Sequence, residues 1–473
     1  MENVSILNDV VGPVMRGPSS SHTAGSYHIG RLIRSLAGDE PASAVFTFDP
    51  QGSYAATFRQ QGVDLALAAG LLGWPITDAR FPRALALAPG LGLKLRFRIA
   101  RLEGADHPNT VRAEVHARTR GRLEVVARSV GGGSVEITAV DGRPVSIDGR
   151  SRAVLNVGGA RRTVPPLFFV RRGRPLFDSA ADAVALARRR RVSLGRIALA
   201  HEARLLGLAE REVVDEILRR LAIMRDSVRQ GLAGRGLGMK LLKPTAGRIF
   251  RADADGRLAV GGLHARAAAR AMAALHVSNS MGIVCAAPTG GSAGVLPGVM
   301  VTLAEEKGIA GEKAALALLA AGAVGLVVAA RATFAAEVAG CQVEIGAAGA
   351  MGAAAVVEAA GGSAAQAADA AAISLQNTMG SVCDLVQGMC EIPCHTRNAV
   401  AASSAFVCAD LVLGGYINPI PLDETVDASF SSGRMLPPEL RCTAKGGLAM
   451  APSALALHSL SRKGSGSRGP RMT

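Results

Sequence analysis

The sequence predicts an α+β protein, a small mixed unit at the N-terminus followed by a larger, all-helical one. Three observations predict it. Apolar and polar residues alternate, as on a half-buried strand, over "ASAVFTFDPQGS" (42–53), "LKLRFRIARLE" (93–103), "TVRAEVHART" (110–119) and "LEVVARSVGGGSVEITAV" (123–140). From about 191 the period becomes helical, with long Ala-rich runs at 263–276, 310–335, 346–372 and 397–414. At 473 residues the chain also exceeds what one core usually organises, so two domains are expected.

In the first unit, residues 1–150, Ile29, Leu32, Ile33 and Leu36 recur at helical spacing in "GSYHIGRLIRSLAG" (25–38). Residues 151–190 collect Pro, Gly and Arg with little periodicity, and a linker is expected there. "AEREVVDEILRRLAIMRDSVRQGL" (209–232) is amphipathic and belongs to the helical unit, 191–460. Aromatic residues make up only 3% of the chain while Ala and Gly abound, which favours closely packed helices with small contact residues. "SRKGSGSRGPRMT" (461–473) reads as a disordered tail.

Composition narrows the function classes. The longest uncharged apolar run, Ala314–Ala330, is short for a membrane span and rich in Ala and Gly, so it reads as a buried helix. The opening "MENVSILNDVVGPVMRGPSSS" lacks a basic stretch followed by an apolar run. A soluble, cytoplasmic protein with no membrane partner is expected. The net charge of +15 raises nucleic-acid binding, but the Arg residues are scattered and few aromatics interleave them, so a solvated Arg-rich surface is the preferred reading. A reducing compartment and an odd cysteine count, seven, favour metal binding or catalysis over disulfides.

Two constellations carry chemistry. In "RGPSSSHTAG" (16–25) a Gly-Pro turn precedes Ser19, Ser20, Ser21, His22 and Thr23 and then a helix. One hydroxyl suffices for an N-cap. The surplus, with an imidazole beside it, suits a docked carboxylate at the helix N-terminus and a proton carrier. The second constellation is thiol-rich: Cys383, Cys390 and Cys394 fall within twelve positions, and Cys341 sits at a loop-to-helix junction. Cys285, Cys408 and Cys442 read as small apolar residues. Three thiolates from two loops suit an iron–sulfur cluster with one open iron, while zinc and plain burial are compatible with the same spacing. The Gly-rich "GRGLGMKLLKPTAGR" (234–248) and "CAAPTGGSAGVLPG" (285–298) fit neither phosphate-loop nor dinucleotide patterns and read as loops approaching a ligand. Lys240, in the first, reads as a surface lysine on these grounds.

Taken together, "GPSSSHTAG", "HPNT" (107–110), "SVGGGSVEI" (129–137), "APTGGSAGVLPGV" (287–299), "GCQVEIG" (340–346), "CDLVQGMCEIPCHTRNA" (383–399) and "CTAKGGLA" (442–449) resemble the iron–sulfur L-serine dehydratase family in its single-chain form, over about residues 10–452. The resemblance implies a 4Fe–4S cluster on Cys341, Cys383 and Cys394, with Cys390 outside the ligand set and no pyridoxal phosphate. It implies dehydration of L-serine to pyruvate and ammonia, with the free iron acting on the substrate hydroxyl. It brings Ser19, Ser20, Ser21, His22 and Thr23 to the cluster, assigns the substrate carboxylate to Arg397 and Asn398, and makes Thr289 a further contact. His22, Lys240 and Ser20 are the catalytic candidates. A homodimer acting on a small amino acid is expected. The chain departs from the family where an amide gives way to Gly290, a hydroxyl appears at Ser292, and 277–285 lacks an acidic residue. Those changes keep threonine or cysteine open as substrates. A metal-bearing sensor is the non-catalytic alternative.

Overall fold

The computed structural model describes residues 4–118 and 121–457, so the tail expected at 461–473 lies outside the described residues. The strands predicted near the N-terminus form a six-stranded mixed sheet in the order Lys94–Ile99, Pro41–Phe48, Thr110–Ala117, Gly121–Gly131, Ser134–Val140, Arg143–Ile147. Only the first pair is parallel. Alternation puts Phe46, Phe48, Val111, Val115, Val125 and Ile137 on one face. Helix Gly25–Ala37 covers that face with Ile29, Leu32, Ile33 and Leu36, and Val63–Leu72 packs beside it. The fold is α+β, as the periodicity predicts.

A second apolar core is built by helices around Gly311–Arg331, whose neighbours include Leu194–Leu206 and Ile345–Ala360. Gly311–Arg331 and Cys341–Ala360 are long and apolar enough to cross a membrane, yet 78% and 83% of their most apolar windows are buried inside the protein. Ala and Gly let these helices approach closely. A Cβ on Gly325 would come within 2.1 Å of Val10 Cγ1.

That contact reveals the path of the chain. Ile6, Leu7, Val10 and Val11 pack into the helical core, not against the sheet. The buried Glu202 carboxylate anchors them, accepting from Ser5 Oγ at 2.6 Å and from the amides of Ile6 and Leu7 at 2.9 Å each. Val14–Arg16 then pairs antiparallel with Ile283–Cys285. Only after residue 16 does the chain cross to the sheet, and the SSSHT loop is the crossing.

The stretch expected as a linker is structured. Hairpin Ala153–Val157 and Ala160–Val164 gives Val157 and Val164 to the sheet core, and helix Ala180–Arg190 gives Ala183, Leu186 and Ala187 to the helical core. Arginines on the solvent face of that helix mask its small apolar stripe. The helical part also carries three short strands, Ile283–Cys285, Cys383–Asp384 and Arg441–Thr443. The last two pair in parallel and bring distant cysteines together.

Candidate active site

A small cavity is walled by residues from both cores. One wall is the crossing loop. Ser19 caps the turn Ser20–Ala24 by accepting from the His22 amide at 3.2 Å. The hydroxyls of Ser19 and Ser21 lie 3.2 and 3.0 Å from His22 Nδ1, and Ser53 Oγ lies 2.9 Å from Nε2. Tyr54 meets the imidazole edge-on, with ring centroids 5.3 Å apart. Burial holds the His22 pKa down at about 4, so the ring is neutral near pH 7. Ser20 also lines the cavity, is 4% exposed, and its hydroxyl has no hydrogen-bond partner among the described residues. Thr23 faces away and donates to the Gln61 carbonyl at 2.8 Å.

The glycines of "APTGGSAG" hold this loop in place. A Cβ on Gly290 would stand 2.9 Å from both the Pro18 carbonyl oxygen and the Ser20 amide nitrogen. The missing amide side chain at Gly290 thus lets two backbones touch. Ser292 pairs with Thr289, its hydroxyl 3.0 Å from Thr289 Oγ1, inside the loop.

The opposite wall is thiol. Cys341 follows Gly340, whose φ of +75° suits glycine, and its amide donates to the Ser381 carbonyl at 3.0 Å. Cys383 sits in a two-residue strand and Cys394 starts helix Cys394–Leu413. The sulfurs of Cys341 and Cys383 and a carboxylate oxygen of Glu344 all lie within 4.8 Å of one another. Cys383, Cys390, Cys394 and Cys442 line the cavity directly. Hydrogen bonding with Cys341, then with Cys442, pushes the Cys383 thiol well above its ordinary pKa, and bonding with Cys394 does the same to Cys390. Crowded thiols stay protonated until a cation stands among them. Buried soft donors of this kind fit a thiolate-bound iron–sulfur centre.

Sequence reasoning missed three of these lining side chains, Cys442, Glu337 and Glu344, and set a fourth, Cys390, outside the ligand set. Cys442, read as an apolar filler, belongs to the thiol wall and adopts φ +60°, a left-handed conformation rare for a side-chain-bearing residue. Cys390 joins it. Glu337 and Glu344 also line the cavity. Burial lifts both carboxyls, Glu344 to about 7, although Glu344 accepts a hydrogen bond from Thr289 Oγ1. Their signal was faint: Glu337 lies on a four-residue helix and Cys442 on a three-residue strand, too short for any periodicity.

Three predicted residues sit apart from the cavity lining, in addition to Thr23. Arg397 donates to the Val382 carbonyl at 2.7 Å and pairs with Asp384 at 3.0 Å, because that buried carboxylate needs a counter-charge. Asn398 is spent on backbone, donating to the carbonyls of Gly291 and Cys394 at 2.9 Å each and accepting from the Gly294 amide at 3.1 Å. Lys240 donates to the Gln60 carbonyl at 3.2 Å while its own amide donates to Glu391. In this arrangement Arg397, Asn398 and Lys240 are each engaged by groups of the protein itself, and Arg397 also lies 3.7 Å from Cys341 Sγ.

Comparison with known proteins identifies the family. The family model described as serine dehydratase alpha chain matches residues 159–449. The chain is 36% identical over 278 residues to the probable L-serine dehydratase alpha chain of Bacillus subtilis (strain 168), covering 59% of this chain and 93% of that one. It is 40% identical over 149 residues to the probable L-serine dehydratase beta chain of the same organism, covering 32% and 66%. L-serine dehydratase TdcG of Escherichia coli (strain K12) is 28% identical over 457 residues, covering 92% and 96%. With a thiol-walled cavity between two cores, a family model over residues 159–449 and one relative matching 92% of its length, the chain belongs to the iron–sulfur L-serine dehydratase family of lyases.

Proposed function

We propose that this enzyme eliminates water from L-serine to give pyruvate and ammonia, with a 4Fe–4S cluster held by Cys341, Cys383 and Cys394 and no pyridoxal phosphate. The observation that carries the reading is the single cavity with hydroxyls and a neutral imidazole on one wall and thiols on the other. Bound to three thiolates, such a cluster keeps one iron free to act as a Lewis acid on the departing hydroxyl. The chain's own residues do the rest. The crossing loop, at the N-terminal side of helix Gly25–Ala37, receives the carboxylate. His22, neutral and hydrogen-bonded through Nδ1 to two serine hydroxyls, takes up the α-proton on that side. Ser53 on Nε2 fixes the ring. The enclosing walls keep bulk water from the reacting carbons. The resulting aminoacrylate tautomerises and hydrolyses to pyruvate and ammonia. We read residues 1–150 and 191–460 as the two working units, with the N-terminal strap borrowed by the helical one, in a cytoplasmic homodimer. Pyruvate release from L-serine, threonine and cysteine by the anaerobically reconstituted enzyme tests the reading. Turnover of serine foremost supports it, and turnover of none of the three contradicts it.

A further inference from the structure

We propose that Glu337 and Glu344 form the receptor for the α-ammonium group of the substrate, and that this pair makes the cavity select an amino acid over the corresponding acid. The identity of the substrate rests on the lyase reading above.

Glu337 and Glu344 are half-buried on the cavity wall, and they contrast with the acids buried elsewhere in the chain. Each of the latter has an answer. Asp384 is paired with Arg397 at 3.0 Å. Glu202 accepts from one hydroxyl and two amides. Glu391 accepts from the amides of Lys240, Leu241 and Leu242 at 2.7, 2.8 and 2.8 Å. Glu337 and Glu344 depart from that rule. Among the described residues Glu337 has no ion pair and no side-chain hydrogen bond, and Glu344 has only the neutral Thr289. Among the described residues no lysine or arginine lines the cavity. A half-buried carboxylate without a counter-charge is disfavoured, and two facing one space more so.

A second observation points into the same space. The Ser20 hydroxyl, on a side chain 4% exposed, also lines the cavity without a partner. An ammonium group answers both: it carries one positive charge and three donors, enough for two carboxylates and a hydroxyl. The Glu344 carboxylate is held in place as well as available. A Cβ on Gly291 would stand 2.7 Å from Glu344 Oε1, so the glycine loop lies directly against it. The same device favours release, because a keto-acid product carries no ammonium.

The test is anaerobic calorimetry on the reconstituted full-length chain, with L-alanine and propionate as probes. These differ only by the ammonium group and cannot eliminate water. The wild type is expected to prefer L-alanine by about tenfold or more, the range of a charge-assisted hydrogen bond. Glu337→Gln and Glu344→Gln should each bring the ratio toward one, and Glu337→Asp should recover part of it. For L-serine turnover, KM should rise by more than kcat falls in Glu337→Gln. Equal binding of the two probes by the wild type, or an unchanged ratio in a folded Glu337→Gln enzyme, overturns the proposal. Iron content and circular dichroism report whether each variant is intact. If Glu337→Gln fails to fold, Glu344→Gln and the wild-type ratio decide. A wild type that prefers L-alanine yet releases no pyruvate from L-serine breaks the lyase reading and leaves the receptor supported.

Discussion

The two walls of the cavity are built on opposite principles. The hydroxyl wall is mostly satisfied from within: Ser19 caps the turn, Ser19 and Ser21 satisfy His22 Nδ1, and Ser53 satisfies Nε2, with the Ser20 hydroxyl alone left facing the cavity among the described residues. The thiol wall is not. Cys341, Cys383, Cys390, Cys394 and Cys442 come from separate segments and crowd together, and hydrogen bonding among them raises the Cys383 and Cys390 thiols well above their ordinary pKa. One wall is preorganised by local hydrogen bonds, and the other is assembled by tertiary packing. Mutations should therefore separate them cleanly.

The largest effect is expected on the thiol wall. Cys341→Ser and Cys383→Ser should abolish iron retention after anaerobic reconstitution and with it turnover, read by iron analysis and a pyruvate assay. Next comes His22→Ala, which should keep its iron while kcat falls about 100-fold or more, the scale of a lost proton carrier. Iron loss in that variant would show that the walls are not independent. Gly290→Ala tests their spacing. The new methyl forces the crossing loop away from Pro18 and Ser20, and a displacement of that kind costs on the order of 10–100-fold in kcat with iron unchanged. Gly325→Ala strains the contact of Val10 with the core helix and should destabilise the fold by about 1–3 kcal/mol in thermal unfolding, sparing activity at low temperature. Lys240→Ala removes one hydrogen bond outside the cavity lining and should change kcat by no more than about twofold, with about 1 kcal/mol lost in stability.

The imidazoles add a pH signature. Burial lowers the pKa of His22, His28 and His201 from 6.5 to about 4. Between those values the unfolded chain binds protons that the folded chain does not, so stability falls as pH drops from about 6.5 toward 4. Unfolding followed across that window should show the decline, shallower in His28→Gln. A rise in stability toward pH 4 would contradict the buried neutral state.

How much of this was legible in the sequence follows the same division. Local patterns were readable: strand alternation gave the sheet, Ile29 to Leu36 gave its covering helix, and the surplus of hydroxyls beside His22 marked the crossing loop. Features set by long-range packing were not. Arg397 follows Cys394 by three residues, but its pairing with Asp384 across a loop could not be read from that spacing. Cys442 looked inert until a parallel pairing with the Cys383 strand brought it into the thiol wall. Residues 151–190 looked like a linker because arginines interrupt the Ala183, Leu186 and Ala187 stripe.

The central claim is that the thiol wall holds a 4Fe–4S cluster working against the hydroxyl wall. Anaerobic purification with iron and sulfide analysis and a pyruvate assay on L-serine in the same sample tests it most directly. The account predicts about four iron and four sulfide per chain together with pyruvate release. Pyruvate formation from a chain free of iron, or neither cluster nor turnover after reconstitution, would contradict it.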